Sequence, residues 1–579
     1  MKNASLCLMI PLLLVGGVYV LACYQGIDLA DEWFWYSNAH VLSVAPDKSS
    51  YSFGYYLSVA IASMWGRIVG DSLISFRFLA VLSKLLIIGA TYFIMRNFIG
   101  KATLSLGLVV GGLFTYGGVM CFYGNTCTSL FYMVAVVFAY RWLFYCKGAN
   151  LFMFGFVLGV GAFARIANVT DLLFLFIIPF YRLIEGSFEL GRIVRELCIA
   201  VGGWVAGVVS VISMMVLAGH WDAFLEMLEM YAYMAGAGDS GHSLAHLINC
   251  QLKYYLDVFY YSSAAAGVVV SSVVAALLAR NYGPWSRQII VFSVAIASSI
   301  VLGRFLLLLC RFEIVFAFIC CFALACFFEK RPKALALWAM AFLCLTVSPL
   351  GSDVAGTSNK YCMPFYVTLV FSAFAQDGVV ENAFCKLLRM TKDSVRNIRM
   401  VLYGLMMFLC VGIVYQIWQD PIRDNSNRRL LTTCAKVNGL EGVRTTPERA
   451  KAIESIVMAI NEHADPGQPL LVFHSAPGLH ALTGMLPYTC STWSFLLTPT
   501  MFNVDIVRAQ KRFDGQLPLV VLAKWAVGCR EWPQERKAYM NSDNLRWGRR
   551  MAFDRFLSNN NYQTIFENED FVIFKAEEK

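Results

Sequence analysis

Three carboxylates, Asp28, Asp31 and Glu32, fall within five positions just after the first long apolar run, Leu6–Cys23. A charge beside a bilayer is costly unless it is solvated or paired, so these groups are poor candidates for packing alone. A carboxylate within hydrogen-bond reach of a hydroxyl can take its proton as a general base. The plainer reading is that Asp28 caps a helix whose first turn holds Asp31 and Glu32, where negative charge suits the helix dipole. The stretch that follows, residues 26–56, is rich in aromatic side chains. Chemistry at a phosphate would also need cations to offset growing negative charge. Lys48, Arg67, Arg77, Arg165, Arg304, Arg311 and Lys360 fall on the same side of the apolar runs as the carboxylates. An arginine at the end of such a run is ordinarily an anchor reaching for the interface. Arg77 and Arg165 rank first, the latter because it sits in a short turn between two apolar stretches. Arg304 and Arg311 flank the apolar Phe305–Cys310.

These groups must be positioned by a membrane protein. The 579 residues are 58% hydrophobic and only 15% charged, with mean hydropathy +0.60. Soluble domains run nearer 45–50% apolar and about 25% charged. A soluble enzyme, a disordered chain and a nucleic-acid-binding domain are all excluded as classes. Thirteen stretches approach the roughly 20 apolar residues of a spanning helix: about 5–23, 76–95, 103–122, 128–146, 150–166, 169–184, 197–219, 258–279, 286–303, 312–328, 334–350, 362–376 and 400–417. The segment 55–70 reads as an interfacial helix, and Arg304–Arg311 as a hinge. With the N-terminus inside, the inner segments carry eighteen Lys and Arg and the outer ones seven, as the positive-inside rule requires. An odd number of spans then places the end of the chain outside the cytoplasm, together with residues 24–75.

Residues 418–579 hold 38 of the charged residues in 162 positions, the density of a water-soluble domain. The expected fold class is thus an all-α polytopic domain, 1–417, followed by a small extracytoplasmic α/β domain, 418–579. In the latter, Thr446-Pro447-Glu448 opens a helix. Residues 468–475 and 517–524 are short strands, 541–557 a helix, and 562–575 a hairpin. Cys434, Cys490 and Cys529 lie there, and any two could pair.

Asp31-Glu32, Gly54-Tyr55-Tyr56-Leu57, Val69-Gly70-Asp71 and Phe76-Arg77-Phe78-Leu79 follow one another after the first span. This order resembles the GT-C superfamily of integral-membrane glycosyltransferases, in the branch of the aminoarabinose–lipid A transferases and protein O-mannosyltransferases. The resemblance implies sugar transfer from a polyprenyl-phosphate donor to a lipid, glycan or protein acceptor on the outer face of a bacterial inner membrane. It makes Asp31 the general base, Glu32 a supporting acid, and Asp28, Tyr55, Arg77, Asn125, Arg165, Arg304 and Asp353 substrate-binding candidates. Two departures stand out. Tyr51-Ser52-Phe53 replaces a lysine-proline-proline triplet, and Asn125 stands where members often carry a second acid. Asn125 can ligate a cation weakly but cannot act as a base, so the need for a divalent cation stays open.

Two outer loops complete the set. His220–Asp257, with an Ala235–Gly238 hinge-like tract, is expected to gate the site. Its His242 and His246 share a helical face but lack a third metal ligand. Asp353, in a glycine-flanked turn, makes an Asx-turn or approaches substrate. The rival functions are a transporter or lipid-linked sugar flippase, and a non-catalytic relative. Against transport, no internal repeat is evident.

Overall fold

The computed structural model describes residues 2–116, 120–236, 244–279, 311–351, 360–375, 378–387, 411–419, 421–537 and 544–577, with scattered positions in 282–297 and 391–396. The first half is helical: α1 (Lys2–Cys23), α2 (Asp31–Val44), α3 (Tyr56–Val69), α4 (Leu73–Met95), α5 (Lys101–Phe114), α6 (Gly124–Tyr145) and α7 (Gly148–Gly161). A 3-10 segment, Ile166–Phe176, leads into α8 (Ile177–Ile184), α9 (Leu190–Leu217), α10 (Trp221–Gly236) and α11 (Leu244–Leu278). Then come α12 (Arg311–Phe328), α13 (Pro332–Val347), α14 (Met363–Ala373) and α15 (Val379–Leu387).

Among the described residues five helical stretches are long and apolar enough to cross a membrane: 6–23, 73–95, 124–145, 166–184 and 190–217. Four more of the expected runs form shorter apolar helices, at 101–114, 148–164, 312–328 and 332–347. The run at 258–279 is the second half of α11, and 362–376 contains α14. Most of 286–303 and 400–417, like the expected hinge at Arg304, lies outside the described residues.

Packing within the bundle rests on small residues and on few polar bonds. The Tyr19 hydroxyl of α1 donates to the Gly112 carbonyl of α5 at 2.5 Å. Helices α7 and α9 approach through Gly155 and Gly159 on one side and Gly203 and Gly207 on the other. A Cβ on Gly155 would strike the Ala200 carbonyl, and one on Gly203 the Phe152 carbonyl. Backbones this close exploit small residues because lipid supplies no hydrophobic drive between helices.

The C-terminal segment forms β1 (Thr433–Cys434), β2 (Arg444–Thr445), α16 (Pro447–His463), β3 (Leu470–Phe473), α17 (Gly478–Thr483), α18 (Pro499–Arg512), β4 (Leu519–Ala523), α19 (Asn544–Asn559), β5 (Tyr562–Glu567) and β6 (Phe571–Ala576). The last four strands make one sheet in the order β3-β4-β6-β5. Strands β3 and β4 are parallel, and β6 is antiparallel to both its neighbours. The local signals act as their chemistry dictates. The Thr446 hydroxyl accepts from the Arg449 amide to cap α16, with Pro447 in its first turn, and Ile453, Ile456 and Ile460 face the sheet side of the core. Cys434, Cys490 and Cys529 are free thiols.

This domain is welded to the loop after α1. Gly26 donates to the Arg444 carbonyl at 2.8 Å, Arg444 donates to the Tyr24 carbonyl at 2.9 Å, and Leu73 at the head of α4 donates to the Gly439 carbonyl at 2.9 Å. Gly26 does this at φ +92°, with the Pro421 backbone pressed on its open side, a place suited only to glycine. Ile27 and Trp33 share one apolar cluster with Ile453, Leu470 and Leu519. Arg428 secures the end of the preceding helix by donating to the Trp418 and Ile417 carbonyls and to Gln25.

Candidate functional site

The acidic segment becomes the opening of α2. The Asp28 carboxylate accepts from the amides of Ala30 at 2.9 Å and Glu32 at 3.3 Å, the helix-start role that its position predicts. Glu32 is fully buried and takes a two-point bond from Arg77, Nε to Oε1 at 2.7 Å and Nη2 to Oε2 at 2.6 Å. Arg77 spends its other donors on the Cys23 and Gly26 carbonyls, each at 2.7 Å. The pair therefore ties the ends of α1, α2 and α4 together. It leaves neither Glu32 nor Arg77 facing an open space, so the roles of supporting acid and phosphate partner have no geometry here.

Asp31 is different. Its carboxylate is about one-third exposed and pairs with Arg423, whose Nη1 also lies 3.8 Å from Asp28. Burial pushes the Asp28 carboxyl up to about 7, against the pull of Arg423 and with Asp31 adding to the rise. Arg423 adopts φ +49°, a left-handed conformation uncommon for a side chain of this size and often met at functional positions. Its carbonyl is held by Arg449 Nη1 at 3.0 Å, and the same nitrogen reaches the Ile27 carbonyl at 2.5 Å. Arg449 is buried and also collects the carbonyls of Cys529, Arg530 and Trp532. Asp424 beside it accepts from the Ile27 amide at 3.0 Å and from the Thr445 hydroxyl at 2.5 Å. Arg423, Asp424 and Arg449 escape a reading of the loop alone; the one local signal is a cluster of charge, Arg423-Asp424, right after Pro421.

Three further candidates meet at a second place. The Asn125 side-chain oxygen accepts from Arg165 Nη1 at 2.8 Å, and the same nitrogen reaches the Ser348 carbonyl at 3.2 Å. Tyr55 packs against Gly124 beside the Arg165 stem. Tyr55 and Arg165 line a cavity of about 250 Å³ with Tyr51, Tyr231, Met234 and Gly351. Gly54 makes room for the Tyr231 hydroxyl, which would collide with any Cβ there. Trp35 joins the two places. Its ring lies 4.8 Å from that of Tyr55, and it follows Asp31 by one helical turn, so the two stand on one face of α2. Asp31 and Trp35 are both only partly buried. Asp31 itself does not line the cavity.

The expected gating loop is mostly helix. Arg512 and Arg508 of α18 donate to Glu226 and Glu229 of α10 at 2.9 and 2.8 Å, which fastens α10 to the C-terminal domain. The hinge-like tract continues into residues outside the description, as does His242. Arg304 and Asp353 also lie outside it, although Gly351 at the cavity edge is two positions from Asp353. Among the described residues no group of three or more His, Cys, Asp or Glu is placed to hold a metal ion.

No family model and no curated protein matches the chain. Fifteen chains of solved structures are similar to it. The oligosaccharyltransferase of Archaeoglobus fulgidus, in complex with Zn and sulfate, matches at 12% identity over 89% of this chain and 68% of that one, with a TM-score of 0.46. ArnT from Cupriavidus metallidurans, bound to undecaprenyl phosphate, matches at 13% identity over 98% and 97%, with a TM-score of 0.39.

Proposed function

We propose that the protein is a GT-C-type glycosyltransferase that moves a sugar from a polyprenyl-phosphate donor to an acceptor hydroxyl on the extracytoplasmic face of a bacterial inner membrane. The observation that carries this reading is the open turn of α2. A partly exposed carboxylate, Asp31, stands beside a guanidinium, Arg423, and one turn from Trp35, whose ring packs on Tyr55 in the wall of a cavity that holds a second guanidinium, Arg165. Asp31 takes the proton of the acceptor hydroxyl as its oxygen attacks the anomeric carbon. The bond from that carbon to the donor phosphate breaks, and its electron pair stays on the phosphate. Arg423 and Arg165 offset the charge that grows there. A phosphate arriving at Arg423 competes with Asp31 for it, and so frees the base. The described hydrogen bonds of Arg165 use Nη1 alone, and the residue lines the cavity.

A divalent cation does not fit the acidic cluster as it stands. Both Glu32 oxygens are taken by Arg77, and Arg423 occupies the space that Asp28 and Asp31 share.

The test is incubation of purified protein with a labelled polyprenyl-phosphate sugar and a panel of lipid, glycan and peptide acceptors. Label transfer by the wild type and its loss in Asp31→Asn support the reading. Equal turnover by the two removes Asp31 as base. Movement of the labelled lipid across a vesicle without bond cleavage favours a flippase.

A further inference from the structure

A second cavity, of about 450 Å³, lies far from the acidic loop. It is bounded by Met95 at the end of α4, Phe328 at the end of α12, Arg331 and Trp338 around the start of α13, and Lys386 on α15. Leu73, at the opposite end of α4, bonds to the C-terminal domain. A 23-residue helix is about 33 Å long, so the cavity opens at the other end of the bundle, one hydrocarbon thickness away. That end gathers the Lys and Arg excess, which marks it as cytoplasmic by the positive-inside rule.

Its chemistry is two-sided. Leu337, Trp338 and Leu369, all buried, supply apolar lining. At the mouth Glu329 is neutralised by Arg331, which bonds it through its amide, Nε and Nη2 at 2.9–3.0 Å. The exposed Lys330 and Lys386 are left to set a positive charge. Phe327 and Leu387, beside the mouth, are 83% and 66% exposed on the bundle exterior. The volume suits a small-molecule head, the lysines suit an anion, and the exterior apolar residues suit a tail that continues outside. We infer that this cavity binds the head group of an anionic phospholipid of the cytoplasmic leaflet, a use to which basic pockets between membrane helices are suited.

The full-length protein is purified in detergent and titrated with short-chain phosphatidylglycerol, phosphatidylcholine or glycerol phosphate, and retained ligand is counted by native mass spectrometry. The expected result is retention of phosphatidylglycerol over phosphatidylcholine, weakened about tenfold in Lys330→Ala/Lys386→Ala and restored in Lys330→Arg/Lys386→Arg. Arg141→Ala/Lys147→Ala removes the same charge from the same end, since Tyr140 contacts Asn97 there, and should leave retention intact. Equal loss in that control, or unchanged retention in the Lys330/Lys386 pair, overturns the site. Retention of glycerol phosphate as strong as that of the lipid overturns the assignment to a phospholipid. None of these readouts depends on sugar transfer, so the inference stands or falls apart from the proposed activity.

Discussion

Arg77 and Glu32, 45 positions apart, form a two-point ion pair with no exposure on either side. Removing one partner of such a pair leaves an uncompensated buried charge and costs about 3–5 kcal/mol. Glu32→Gln and Arg77→Met should therefore lower the unfolding midpoint in detergent sharply, and lower activity only in proportion to folded protein. A Glu32→Gln protein that keeps its midpoint but loses turnover would return Glu32 to the chemistry.

Asp31→Asn should behave in the opposite way. Its carboxylate is partly open, so the midpoint should change little while turnover falls by about 10²–10⁴-fold, the usual worth of a positioned base. Single-turnover assays with saturating donor separate this from weakened binding.

The pH profile should report Asp28. With its pKa raised to about 7 by burial, Asp28 is mainly neutral below that pH, and Arg423 is left to Asp31. Above it, the ionised Asp28 competes for Arg423 and releases Asp31, so turnover should rise as pH passes through about 7. The stability sign is the reverse. The folded state binds the extra proton between about 4 and 7, so Asp28 lowers stability as pH rises across that window and contributes no further slope above it. Asp28→Asn should flatten both trends, measured as rate and as unfolding midpoint against pH.

The contact between α7 and α9 offers a matched pair of substitutions. Gly203→Leu drives a side chain into the Phe152 carbonyl, whereas Gly202→Leu meets nothing within 4 Å. The first should lose at least the roughly 1–3 kcal/mol of an overpacked contact, and the second should be close to neutral. Thermal unfolding of the two proteins in the same detergent is the measurement.

What could be read in the residues was whatever is local. Apolar length gave the helical character of the first half, though not every helix boundary, Thr446-Pro447 gave the start of α16, and two short apolar runs and a polar turn gave β3, β4 and the final hairpin within a few positions of the observed bounds. The acids after α1 stand out among the residues because charge beside a bilayer is costly unless solvated or paired. Their division of labour was not. Whether Glu32 meets substrate or Arg77 depends on how α4 lies against α1. Arg423 and Arg449 reach the loop from about 400 positions away, a separation at which no spacing rule operates. The stretch after His220 reads as a mobile loop from its glycines, but α10 is set by ion pairs to α18 that only the folded chain brings into range.

The clamp of Arg449 on the Ile27 carbonyl has a consequence for biogenesis. Residues 24–32 emerge early from the ribosome, yet Arg449, which holds the Ile27 carbonyl, arrives only with the last quarter of the polypeptide. A nascent or truncated chain therefore carries its acids without that clamp, and the loop is fully braced only once the tail has been made and has packed against it.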